Sequence, residues 1–257
     1  MSKSMGPHLP KPGWQKRWVV QSAQLAMRAP LALLALLGCA LLIGCVVLVA
    51  AGFLASVGPS PLGANVIIAM GALVALPARL LIGNLILAAD GRGQRSLGEI
   101  LEMTLSVLPL VLGVELAVVA LDLVIGGTSA RGAEASSLAA MGLAEVTLKV
   151  GISAMCHLEM ALWIWSVMWV GTLPALHMGP GDALAADSAL RHKSWTFWLA
   201  MMVIQFVVRG FVMTLPTLLG MGLLFFNFVW IYVAAREVIG GIDDNGIEET
   251  AAVPQAS

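Results

Sequence analysis

The sequence predicts an all-α fold, a polytopic membrane helical bundle with six transmembrane helices and amphipathic helices at the interface. Three observations predict it. Hydrophobic residues make up 59% of the chain and charged residues 11%, against about 25% charged in soluble domains, and the mean hydropathy is +0.92. Apolar runs recur along the chain, each close to the roughly 20 residues that cross about 30 Å of hydrocarbon. The scarce charge gathers in the N-terminal arm, short connectors and the tail, which leaves no charged exterior for a water-soluble fold.

Residues 1–13 hold three prolines and two glycines, so they are expected to form a flexible cytoplasmic arm. From Trp14 to Arg28, apolar Trp18, Val19, Leu25 and Ala26 alternate with Lys16, Arg17, Gln21, Gln24 and Arg28, the composition of a helix lying at the membrane surface. Leu31–Val57 is the first crossing. Mixed or polar residues precede it, so it reads as a retained span and not as the short apolar core of a cleaved signal. Pro59-Ser60-Pro61 turns the chain into the second crossing, Leu62–Ala89, which carries Pro77 and Arg79 and ends at Asp90-Gly91-Arg92-Gly93.

Leu97–Met103 is a short amphipathic lead into a third span, Thr104–Ile125, and 126–137 is a polar loop. Leu138–Val150 is again amphipathic and pairs Glu145 with Lys149 at the favourable i,i+4 spacing. A bend near Gly151 is expected before a fourth span, Gly151–Leu176, which Gly179-Pro180-Gly181 ends. Asp182–Ser194 leads into Trp195–Gly240, about twice the length of one crossing. That stretch reads as a hairpin of spans Trp195–Leu215 and Pro216–Val238, turning at Pro216 and Gly220. The membrane domain thus covers 14–241, and 242–257 form a disordered acidic cytoplasmic tail.

Lys and Arg near span ends are retained in the cytoplasm. With the N-terminus inside, the cytoplasmic set is Lys3, Lys11, Lys16, Arg17, Arg28, Arg92, Arg95, Arg191, Lys193 and Arg236, ten of the fourteen basic residues. Arg131 and Lys149 fall outside, and Arg79 and Arg209 lie within spans. The expected location is a bacterial inner membrane with both termini cytoplasmic. An amphipathic lead precedes each of three hairpins, a weak threefold organisation. The net charge of −1 argues against nucleic acid as a partner, because a phosphate backbone demands a dense basic surface.

Several short motifs stand out: Gly13-Trp14 opening a helix that ends Arg28-Ala29-Pro30; Ala88-Ala89-Asp90-Gly91-Arg92-Gly93; Gly179-Pro180-Gly181-Asp182-Ala183-Leu184; Ser188; Ser194-Trp195; and Tyr232-Val233-Ala234-Ala235-Arg236-Glu237. Together they resemble an uncharacterised proteobacterial family of six-span inner-membrane proteins, similar in layout to the membrane domain that some glycerophosphodiester phosphodiesterases carry. The resemblance covers 13–241. It implies the six-span layout and no activity, because phosphodiesterase chemistry belongs to a soluble metal-binding domain that this sequence lacks. Arg209 departs from the family pattern, which is apolar there.

Ionisable side chains within a bilayer are costly and are functional candidates by default. Here they are Arg79, Glu115, Asp122, His157, Glu159 and Arg209. At 1.5 Å per residue, Arg79 and Glu115 lie roughly 15 and 18 Å from the cytoplasmic side and Arg209 roughly 20 Å. Depth therefore matches Arg79 with Glu115, and Arg209 with Glu159 and Asp122. One reading is a polar path for an ion, proton or small anion; the other, favoured because opposite charges match in number and depth, is a set of ion bridges fixing helix register. Gln205, Asn227 and Asn84 are the main further polar side chains within the spans.

Cys156-His157, Met160 and His177-Met178 have the soft ligands that suit Cu(I), yet His157 and His177 lie most of a span apart. The three cysteines, Cys39, Cys45 and Cys156, sit in apolar runs without zinc-site spacing. No metal or cofactor is expected. Trp163, Trp165 and Trp169 read as a lipid-facing or interhelix surface. Nucleophile elbows, phosphate loops and metalloprotease motifs are absent. The expectation is a non-enzymatic accessory or scaffold subunit, with the lipid bilayer and a protein partner or second copy as its contacts. A small transporter or channel using the intramembrane Arg and Glu residues is the alternative, and an enzyme acting on lipid at the interface is third.

Overall fold

Helix-forming apolar runs separated by proline and glycine leave no place for strands. The computed structural model describes residues 9–57, 61–125, 142–163 and 180–239. Among them the chain is all helical, with eight helices: α1 (Trp14–Arg28), α2 (Pro30–Val57), α3 (Pro61–Ala89), α4 (Leu97–Ile125), α5 (Leu143–Trp163), α6 (Pro180–Lys193), α7 (Trp195–Thr214) and α8 (Thr217–Val238). Five of them, α2, α3, α4, α7 and α8, are long and apolar enough to cross a bilayer. Leu34, Leu42, Val49 and Phe53 on α2, and Val203, Phe206 and Phe211 on α7, stand exposed, as lipid-facing residues do. Only the first half of the expected fourth span lies within the described residues, as the later part of α5.

Local chemistry sets the helix ends. Proline disfavours helical conformation in the residue before it and suits the first helical position, so Ala29 leaves the helical region (φ −112°, ψ 48°) and Pro30 begins α2. α3 ends in a Schellman motif, in which Arg92 N–H donates to Leu87 O at 3.3 Å and Gly91 N–H to Ala88 O at 3.0 Å. Gly91 adopts φ 72° there, a conformation that glycine enters without steric cost. Ser96 and Glu99 form a capping box: Ser96 N–H donates to Glu99 Oε2 at 2.8 Å and Glu99 N–H to Ser96 Oγ at 3.3 Å. The Asn84 amide bonds both backbone groups of Arg95, at 2.8 and 3.1 Å, and so holds the connector against α3.

Two expected junctions lie inside single helices. The amphipathic lead 97–103 and the third span are one helix, because the capping box starts α4 at Leu97 and nothing interrupts it before Ile125. α5 likewise runs unbroken through Gly151, where a bend was expected. Gly151 serves instead as a crossing point with α2. A Cβ at Gly151 would lie 1.8 Å from Ala40 O, and one at Gly44 would lie 1.9 Å from Thr147 O, so the two backbones touch where side chains are missing. A Cβ at Gly71 of α3 would meet Ala154 Cβ at 3.1 Å and Val47 Cγ2 at 3.2 Å, which packs α3 onto the same crossing.

The turn between α7 and α8 falls at Leu215 and Pro216, as expected, with Gly220 close against Val212 O. α8 is the most buried of the five long apolar helices, 72% over its most apolar stretch, whereas α7 is 17% buried. α1 packs on α8 and buries Trp18, Ser22 and Leu25, so its apolar stripe faces protein.

Candidate functional site

The intramembrane polar residues converge, though not in the pairs that depth suggested. α5 supplies the hub. His157 and Glu159 stand two residues apart, on different faces of that helix, and each faces a different neighbour. Glu159 accepts from Arg79 Nε of α3 at 2.6 Å, with side chains 3% and 2% exposed. The Arg79 guanidinium also lies over the Phe228 ring of α8, 3.8 Å from its centroid, a cation–π contact that desolvation strengthens. His157 Nε2 lies 3.1 Å from Glu115 Oε2 of α4. Glu115 therefore meets His157 and Arg79 meets Glu159, because depth along a helix says nothing about which way round the axis a side chain points.

The second arm of the Arg79 fork stays open. Arg79 Nη2 and Glu159 Oε2 have no hydrogen-bond partner, and closing that arm would satisfy both at once. Glu115 Oε1 is likewise without a partner.

Arg209 does not pair with Glu159. It lies half-buried on the rim of a small cavity that Cys156, Glu159, Gln205, Val208, Val212, Leu224 and Asn227 also line. The cavity measures about 10 Å³, near the size that admits one water. Beside it Gln205 and Asn227 bond each other reciprocally, Gln205 Nε2 to Asn227 Oδ1 at 3.1 Å and Asn227 Nδ2 to Gln205 Oε1 at 2.9 Å. The side chain of Asp122 lies outside the described ones, as do those of Met160, Trp163, Trp165, Trp169, His177 and Met178. Among the described residues no three His, Cys, Asp or Glu side chains gather as a metal site.

A second polar cluster joins the conspicuous sequence motifs at one end of the bundle. Asp90, at the end of α3, accepts from Tyr232 OH at 2.8 Å, from Arg236 Nη1 at 3.0 Å and from Arg92 Nε at 2.7 Å. Glu237 accepts from Trp18 Nε1 at 2.6 Å and from Arg17 Nη2. Around it Trp14, Trp18, Phe197 and Trp230 meet in tilted and edge-to-face contacts at centroid distances of 4.5 to 6.3 Å. This clasp was not foreseen from the sequence. Its signal was an acid in one motif and an Arg with a Tyr in another, both at span ends assigned to the same side.

Fold and polar core define the class: a multi-pass, α-helical membrane protein. Comparison with protein-family models, with curated proteins and with solved structures finds no match.

Proposed function

We propose that the chain is a non-enzymatic, six-span protein of the bacterial inner membrane, with both termini cytoplasmic, that acts as an accessory or scaffold subunit of a membrane complex. One observation carries this reading: inside the bundle, polar groups are engaged with one another. Arg79 with Glu159, Glu115 with His157, and Gln205 with Asn227 each join two helices. Conduction calls for polar groups free to line a path through the membrane, and the cavity beside these pairs admits little more than one water.

The sixth crossing in this reading is the expected span Gly151–Leu176, beside α2, α3, α4, α7 and α8; its described first half is the later part of α5. The Asp90 and Glu237 contacts hold α1, the exit of α3 and the end of α8 on one side, as an even number of crossings between the termini requires. The basic bias makes that side cytoplasmic. Lys16 and Arg28, both exposed on α1, suit an interfacial position beside anionic lipid.

A transporter is the second reading, favoured by Arg209, which makes no ion pair among the described residues. The scaffold reading is tested by cross-linking in native membranes and by extraction in mild detergent. The protein is expected in a defined assembly with a partner or a second copy; a monomer that forms no cross-link in its own membrane contradicts the proposal.

A further inference from the structure

Arg209 follows Gln205 by four residues on α7, so the two share one helical face. That face meets Asn227 of α8 and Cys156 and Glu159 of α5 around the small cavity. Among the described residues charge there does not cancel. Glu159 already accepts from Arg79 at 2.6 Å, which leaves two guanidinium groups beside one carboxylate. A cation within the hydrocarbon region is costly, and a counter-charge relieves it.

Directional donors are also in place. Gln205 and Asn227 each commit one amide N–H to the other, and a primary amide carries two. The reciprocal bonds lock both amide planes, which fixes where the spare N–H groups point. The Cys156 thiol, buried on the same wall, is a further weak donor.

We infer that this cavity is a site for one small monovalent anion, held by the Arg209 guanidinium and the spare amide N–H groups of Gln205 and Asn227. The inference rests on the reading of α7 and α8 as membrane spans and goes beyond the scaffold proposal; a bound anion neutralises Arg209 without a path for it to cross. The anionic atom has two possible sources, an aqueous halide or a phosphate oxygen of a lipid. Arg209 lies five residues from the end of α7 at Thr214, about 8 Å along the helix, within reach of either.

The test uses the full-length protein purified in a neutral detergent with gluconate as the only bulk anion. Chloride is titrated in at constant ionic strength and, in a separate arm, phosphatidylglycerol is added without chloride. A saturable rise in Tm of about 2–4 °C is expected, and Arg209→Gln should lose it. A rise with chloride identifies a halide site, and a rise with the lipid alone identifies a phosphate. Should Arg209→Gln fail to fold, chloride NMR on the wild type decides the matter: line broadening that bromide reverses supports the site. No Tm shift in either arm together with no broadening, or a shift that Arg209→Gln retains, overturns the inference. Such a failure would leave the assembly and flux experiments unaffected.

Discussion

At the scale of single residues, Arg79 shows what an intramembrane charge requires. It is 2% exposed, and its charge is met by Glu159 on one side and the Phe228 ring on the other. Removing one member of a buried pair is costly mainly because it strands the other. Glu159→Gln should therefore destabilise the bundle strongly with Arg79 intact and much less in an Arg79→Leu background. Thermal unfolding in detergent across that double-mutant cycle should give a coupling of about 1–3 kcal/mol. The parallel cycle of Arg79→Leu with Glu115→Gln should be additive, since Glu115 bonds His157; coupling in that second cycle alone would restore the pairing inferred from depth. The sequence made the six charged candidates legible, because ionisable residues are conspicuous in apolar runs. It did not reveal their partners. His157 and Glu159, two residues apart, turn to different helices, and azimuth depends on helix packing that local sequence pattern does not display.

At the scale of elements, the crossing of α2 and α5 depends on missing side chains. Gly151→Val and Gly44→Val each place carbon within 2 Å of a carbonyl oxygen in the present geometry, so the helices must separate and uncover Ala40 and Thr147. Folded yield and Tm should fall sharply for either variant. Gly113→Ala on α4, where an added Cβ meets nothing within 4 Å, should be neutral or slightly stabilising, since alanine is the better helix former. Equal losses at all three glycines would mean that the close approach is not what they serve. Ser96→Ala removes half of the capping box that starts α4 and should cost about 1 kcal/mol. Helix positions were largely readable from apolar length and from the Pro and Gly punctuation: α1, α2, α3, α7 and α8 begin and end within a few residues of expectation. The part Gly151 plays in the crossing was not legible, because glycine in a sequence looks the same whether it bends a helix or admits a neighbour. The Ala40 to Gly44 and Thr147 to Gly151 spacings gain meaning only once α2 and α5 are known to meet.

At the scale of the whole molecule, the clasp of Asp90, Tyr232, Arg236, Glu237, Arg17 and Trp18 gathers both termini of the membrane domain at one end. With the basic bias, it predicts that reporters fused after Ser137 and after Ser257 lie on opposite sides of the membrane. The same side for both would remove the six-span topology. The composition made the membrane class legible at once; the clasp was hidden, because the partners in each of its bonds lie more than 140 residues apart in sequence and only the fold brings them together. The central claim is that the buried polar groups hold helices together and carry nothing across. It is tested most directly by ion and proton flux into proteoliposomes containing the wild type, with empty vesicles and an Arg209→Leu variant in parallel. Flux indistinguishable from that of empty vesicles is predicted for both proteins. Flux well above the empty vesicles in the wild type, abolished by Arg209→Leu, would contradict the account and make the Arg209 cavity part of a transport path.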